Sequence, residues 1–316
     1  MWKRLDVVFT LKSPLHIGYL PFKGSIISPT RYYVPGRNFW GAITRRTTEM
    51  LLDNYTPNDY YSIGKQVMDN FRISYFYLYD DENVFIPKYT NKGLIFGNEK
   101  EIYKSEFERR FIESRVITAI DKNSRTAEDA SLHEIEFIKN KYKDDEKLVK
   151  NTKIIGCIWI KKDSKINEYE IKSNYDGIFV NNLNIIKELT LGGEQGYGFG
   201  VVKLEKILNE KRFSIKDDPN NENIKIILNK NEYIPCHVRY HKGVYFQGDI
   251  EILMGRGYFD IEKNMKSSNG YKVDAGRALS KPDYYFSPGT KIELKDKLEL
   301  ILNWSGTVEI SNSNIS

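Results

Sequence analysis

The sequence predicts an α+β protein: a ferredoxin-like βαββαβ unit split by a large insertion, then a second, smaller unit that is α/β or ferredoxin-like. Three observations lead there. Segments of period-two and of helical apolar spacing alternate over residues 1–205 in the order strand, helix, strand, strand, helix, strand. A highly charged stretch over about 88–150 interrupts the middle of that order. The chain has 316 residues, more than one core usually holds, and 206–316 carries its own turn signals and short apolar runs.

The elements follow in order. Leu5, Val7, Phe9 and Leu11 alternate with Asp6 and Thr10, which predicts a half-buried strand. Ser13-Pro14-Leu15-His16-Ile17-Gly18 ends it and turns. Tyr32-Tyr33-Val34 is a short extended piece stopped by Pro35-Gly36. Phe39, Ile43, Thr47 and Met50 then give helical spacing from about Asn38. Phe71–Tyr79 is aromatic-rich and reads as a strand. After the insertion, Thr152–Lys161 reads as a buried strand, Asn181–Leu191 as a short helix, and Phe199–Leu204 as the last strand. In the second unit, mostly β, Ile224–Leu228, Val244–Met254 and Leu298–Trp304 are the expected strands.

Composition narrows the function classes. The formal net charge is +5 and the pI is near 8.8, which permits a polyanionic partner without requiring one. Two cysteines, Cys157 and Cys236, stand far apart in apolar surroundings, so neither a disulfide framework nor a zinc site is expected. His237 and His241 lie four apart, but Val238 and Tyr240 favour a strand there and no ligand cluster accompanies them. No cofactor and no metal are expected. No apolar run approaches the length of a membrane span, so a cytoplasmic protein with no membrane partner is expected.

Three segments can carry function. Gly192–Gly200 has five glycines in nine residues, which frees the backbone to expose N–H groups to an anion. It lacks a Gly-Lys-Ser/Thr and is not a nucleotide fingerprint; taken alone, a structural turn is the favoured reading. Tyr32–Arg46 breaks at Pro35-Gly36 into a helix whose N-terminus could receive a phosphate, with Arg37 beside it and Arg45 and Arg46 further in. Within the insertion, Arg115–Leu132 is small and polar with Arg115, Lys122 and Arg125 spaced along it, as a basic arm would be.

Taken in order, four motifs resemble the RAMP superfamily of CRISPR-associated proteins. They are Ser13–Gly18, Val34-Pro35-Gly36 entering a helix with Gly41-Ala42, Ala119-Ile120-Asp121 with Thr126-Ala127, and Gly192–Gly200. The resemblance covers the first two thirds of the chain. It implies an RNA-recognition-motif-like fold and a place in a type III antiviral effector ribonucleoprotein. There such subunits hold guide (CRISPR) RNA, and an inserted thumb divides guide from target RNA. The Ala119–Leu132 stretch and the long second unit resemble the end subunits that hold the 5′ handle of the guide; a filament subunit or an opposite-end cap is the alternative. Implied partners are CRISPR RNA with target RNA close by, other RAMP subunits and a large polymerase-like subunit.

On this reading the RNA contacts are His16, Arg31, Arg37, Arg45, Arg46, Arg115, Lys122, Arg125, Gly193, Gly196, Tyr197 and Gly198, with Tyr32, Tyr33 and Tyr197 able to stack on bases. Relatives that cut target RNA carry an aspartate in the loop after the first strand. Here Gly18–Arg31 contains no Asp or Glu, so a non-catalytic subunit is expected. The rival is a metal-independent repeat-RNA endonuclease using His16 as general acid or base.

Overall fold

The structure is a computed structural model that describes residues 1–18, 27–118, 124–126, 132–209, 211, 213, 215–218, 222–255, 280–293 and 297–310. Its first part comprises β1 (Trp2–Leu11), β2 (Tyr33–Val34), helices α1 (Gly36–Leu51) and α2 (Pro57–Asn70), β3 (Phe71–Ile73) and β4 (Phe76–Tyr79). The insertion brings α3 (Lys104–Phe111) and a hairpin of β5 (Ile112–Ile117) and β6 (His133–Ile138). Strands β7 (Lys153–Lys161), β8 (Glu188–Thr190) and β9 (Val201–Leu208) complete the first sheet. Its order is β8-β9-β1-β7-β4-β2, with β3 also paired to β7.

A second sheet follows, with strands β10 (Lys225–Leu228), β11 (Val238–Arg239), β12 (Ile250–Gly255), β13 (Ser280–Phe286), β14 (Leu298–Leu302) and β15 (Val308–Ile310). Asp217–Asp218 lies on its β10 edge, and among the described residues this part contains no helix. The fold is thus α+β with strands dominant. No helix among the described residues is long and apolar enough to cross a membrane.

The first sheet is covered on both faces. Leu5, Val7, Phe9, Ile154, Ile158 and Ile160 face α1 and α2, where the Phe39 ring stacks on Phe76 at 4.0 Å. Gly156 has no side chain because a Cβ there would sit 2.5 Å from the Phe76 ring. Val8, Ile155, Cys157 and Trp159 face the second sheet and pack with Ile226, Val238, Phe286 and Leu300. Continuous burial explains why β7 reads as an unbroken apolar run.

The same coverage corrects the reading of β1 as half-buried. Asp6 and Thr10 are buried too, because the second sheet occupies the side expected to face water. A buried carboxylate needs partners. Arg4 supplies them: its Nε donates to Asp6 at 2.7 Å, its Nη1 to Asp217 and to the Ile215 carbonyl, and its Nη2 to the Phe213 carbonyl at 2.7 Å. Asp6 also accepts from the Phe213 N–H at 2.9 Å, and Asp217 from the Trp159 indole at 2.8 Å.

Two further departures concern helices. Asn181–Leu191 is not a helix. Asn181 and Asn182 have φ of 49° and 59°, a hairpin turn that pairs Val180 with Leu183. Leu183, Ile185, Leu189 and Leu191 recur at even spacing, which is a strand pattern and not a helical one. The second long helix is instead α2. Pro57 occupies its first turn, and Asp59 accepts from the Thr56 N–H at 2.8 Å. The charged insertion also feeds the core: Phe96, Phe107, Phe111 and Tyr142 from it join the helix-side cluster, beside Phe85 just before it.

A second buried polar chain ties the layers together. Tyr75 hydroxyl bonds His237 Nδ1 at 2.7 Å, His237 Nε2 bonds Glu251 at 2.7 Å, and Arg31 Nη2 donates to the other Glu251 oxygen. A carboxylate can only accept, so His237 carries its proton on Nε2 and accepts from Tyr75. Burial holds the His237 pKa below its usual value. Burial works to raise Glu251, but hydrogen bonds from His237 and Arg31 outweigh it and bring the carboxyl to about 2.

Two predictions follow from these networks. Arg4→Met strands two buried carboxylates and should cost about 3–5 kcal/mol in urea unfolding, whereas exposed Lys143→Met should cost under about 0.5 kcal/mol. Both His237 and Glu251 have depressed folded values, so their stability is present at neutral pH and lost on acidification. Unfolding free energy should fall as pH drops below about 6.5 and again from about 4.5 towards 2. In Glu251→Gln the lower step should shrink, with other depressed carboxyls such as Asp81 and Glu232 supplying what remains.

Candidate nucleic-acid interface

Functional chemistry gathers at one end of the first sheet, where β1 ends and β9 begins. The Gly192–Gly200 loop closes onto the Pro14–Ile17 turn. Gly193 N–H donates to the His16 carbonyl at 2.9 Å, Gly200 N–H to the Pro14 carbonyl at 2.7 Å, and Leu191 N–H to the Gly200 carbonyl at 2.9 Å. A Cβ on Gly192 would lie 2.1 Å from the His16 oxygen, and one on Gly200 would lie 2.0 Å from the Leu191 oxygen. Both have positive φ, 75° and 90°. Only glycine fits there.

Gly196 and Gly198 differ. A Cβ at either would meet nothing within 4 Å. Gly196 lies within a single 3₁₀ turn, Gln195–Tyr197, which is entered through Glu194 and left through Gly198, both in the left-handed region. Among the described residues the N–H groups of Glu194, Gln195 and Gly196 have no partner within the protein. Tyr197 is 58% exposed on this turn.

Two elements hold the loop from its sides. Arg45 of α1 donates from Nη1 to Gln195 at 3.0 Å and from Nε to Glu49 at 2.8 Å. Glu49 holds the Arg45 pKa above its ordinary value. On the other side Phe137 of β6 packs edge-on against Phe199, with ring centroids 5.2 Å apart. Arg115 lies over the far side of Phe137 at 5.8 Å and is exposed. Cross-strand pairing of Arg115 with Ile135 fixes that position. His16 sits in the joint: its Nδ1 bonds the Glu136 carbonyl at 2.7 Å, and its Nε2 edge lies beside Gly18.

The expected contacts therefore divide. His16, Arg45, Arg115, Gly193, Gly196, Tyr197 and Gly198 come together at or around the loop. Of these, His16 is only 4% exposed and Gly193 spends its N–H internally, so both build the joint. Arg46 is half-buried, with its Nε enclosed and without a hydrogen-bond partner among the described residues. Arg125 is described only within 124–126, where it is exposed. Lys122 and the Ala119-Ile120-Asp121 motif lie outside the described residues.

Four expectations are corrected. Arg31 is buried and committed to Glu251 and to the Tyr33 hydroxyl at 3.0 Å. The start of α1 is filled by protein: Arg37 N–H donates to the Ser305 carbonyl at 2.9 Å, and Gly36 packs on Gly306. The Arg37 N–H is thus not free for a phosphate, and Arg37 stands about 12 Å of helix away from Arg45, which meets the loop. Tyr32 packs against Phe96 and Phe107, and its hydroxyl donates to Glu108 at 2.5 Å. Tyr33 stacks on Tyr75 at 5.4 Å. Neither ring is presented to a base, which leaves Tyr197.

No family model matches the chain, and no curated protein matches it. Among solved structures it is similar to a chain of Type III-B Cmr-beta bound to cognate target RNA, at 13% identity and a TM-score of 0.48 over 92% of this chain and 86% of that one. A chain of Type III-B Cmr-beta bound to cognate target RNA and AMPPnP gives 13% identity and 0.49 over 96% and 86%. A CRISPR protein from Archaeoglobus fulgidus gives 10% identity and 0.34 over 98% and 99%.

The two kinds of glycine should separate on substitution. Gly192→Ala and Gly200→Ala should each lower unfolding stability by about 1–3 kcal/mol or more, from backbone clash and left-handed strain. Gly196→Ala should stay within about 0.5 kcal/mol of the parent in the same urea titration.

Proposed function

We propose that the chain is a non-catalytic RNA-binding subunit of a type III CRISPR effector ribonucleoprotein, holding the 5′ handle of the guide RNA. One observation carries this reading: three consecutive N–H groups, Glu194 to Gly196, have no partner among the described residues, on a turn that carries the exposed Tyr197 ring and is met by the Arg45 guanidinium at Gln195. Backbone donors and a cation suit phosphate oxygens, and a free aromatic face suits a splayed base. Such a surface takes RNA by its backbone and leaves sequence to the base pairing of the guide. The order of the four sequence motifs supports the superfamily, and the order β9-β1-β7-β4 in the central sheet supports the ferredoxin-like arrangement.

In this proposal His16 is a positioning residue. Its Nδ1 holds the β5–β6 hairpin at Glu136 while its carbonyl holds the loop at Gly193. Burial keeps the ring from a scissile phosphate.

Binding of a CRISPR repeat RNA by the full chain tests the reading. Arg45→Ala combined with Tyr197→Ala should weaken affinity by about 10-fold or more and reduce the salt dependence, from one lost phosphate contact and one lost stack. RNA recovered after incubation in EDTA should be intact. Metal-independent cleavage that is lost in His16→Ala would overturn the non-catalytic assignment.

A further inference from the structure

A second cationic site lies outside the glycine loop. The chain leaves β6 at Ile138 and runs through Lys139, Asn140 and the strand Lys141–Lys143, which pairs with Val149–Asn151. Together with the end of α3 this hairpin encloses a cleft of about 790 Å³. Its cations are Arg109, Arg110, Lys139, Lys141, Lys143 and Lys147.

The charges are arranged rather than scattered. Lys141 and Lys143 flank Tyr142 on their short strand, Tyr142 being buried against Phe111, while Lys139 stands before the bend at Asn140. Alternate strand residues share a face and are about 7 Å apart. Lys141 and Lys143 at that step suit adjacent phosphates of an extended strand.

The acids at the cleft are already occupied. Asp144 pairs with Lys150 at 2.8 Å, and Asp145 pairs with Lys100 and Arg110. Lys139 donates to the Arg109 carbonyl at 3.0 Å. The side chains of Arg109, Lys141, Lys143 and Lys147 make no ion pair among the described residues. Four uncompensated cations therefore converge on one concavity.

We propose that this cleft binds the sugar-phosphate backbone of an extended single nucleic-acid strand, as a site separate from the glycine loop. A protein partner fits less well. Protein interfaces are depleted in lysine and need an apolar centre, whereas this cleft is lysine-rich and its apolar lining is Tyr142 and Val149. Val149 is 64% exposed at the rim, where a base or ribose can rest on it. The site does not depend on the loop being an RNA surface.

The test is binding of a short unstructured RNA to the full chain across a salt series. Lys141, Lys143 and Lys147 are all exposed, so Lys141→Gln/Lys143→Gln/Lys147→Gln leaves packing intact. It should weaken binding on the order of tenfold near 0.1 M salt and reduce the log–log salt slope by about 2, from three lost phosphate contacts. The triple Lys→Arg variant should bind as the parent does. The Arg45→Ala/Tyr197→Ala variant separates the two readings: if the loop does not bind RNA it matches the parent while the triple Gln variant still weakens. Affinity and slope unchanged in the triple Gln variant would overturn the cleft. So would binding of poly-glutamate that the triple variant loses while RNA binding is kept, which would mark an acidic polypeptide as the ligand.

Discussion

Strands β1 and β7 have no solvent side, and the rest of the structure follows from that. Helices cover one face and the second sheet covers the other. Any polar group on these strands must find a partner inside, which is why Arg4 spends its guanidinium on Asp6, Asp217 and two carbonyls. Arg31, Glu251 and His237 meet the same requirement at the other end of the sheet contact. Function cannot sit on a sheet face that is sealed. It moves to the ends of the strands, where the chain turns and backbone is exposed.

At that end the glycines divide their labour. Gly192 and Gly200 exist so that two backbones can touch; a methyl group at either would collide with a carbonyl oxygen. Gly196 and Gly198 touch nothing and lie in the part of the loop that faces out. The inner pair fixes the loop to the Pro14–Ile17 turn, and the outer pair leaves its N–H groups approachable. Arg45 and the Phe137–Phe199 contact brace this arrangement from opposite flanks. The outer loop is thus presented on rigid supports, so that binding need not pay to order it.

The strands were largely legible in the sequence because period-two patterning is local. Trp2–Leu11 and Lys153–Lys161 lie where alternation and β-branched runs put them, and Phe71–Tyr79 is extended there too but divides into two strands at Ser74-Tyr75. What could not be read locally was which face is covered. Asp6 looked like the wet side of β1 because nothing nearby announces the second sheet. Arg31 looked like a surface cation, and the start of α1 like an open helix end, for the same reason: Glu251, which holds the Arg31 guanidinium, and Ser305, which takes the Arg37 N–H, are more than two hundred residues away. Local signals do mark two elements that apolar spacing alone misses: the adjacent Asn181 and Asn182 before alternating apolar residues mark a hairpin, and Thr56-Pro57-Asn58-Asp59 carries the start signal of α2 in full. The glycine loop was found, but its inner and outer glycines are distinguishable only once the opposing backbone is in place.

Ultraviolet crosslinking of a bound single-stranded RNA to the full chain, with the attachment points mapped by mass spectrometry, tests the central claim most directly. Crosslinks should fall on the tryptic peptide Glu188–Lys203, at Tyr197 above all. Crosslinks that reach other peptides but spare that one would contradict the assignment of the loop as an RNA surface.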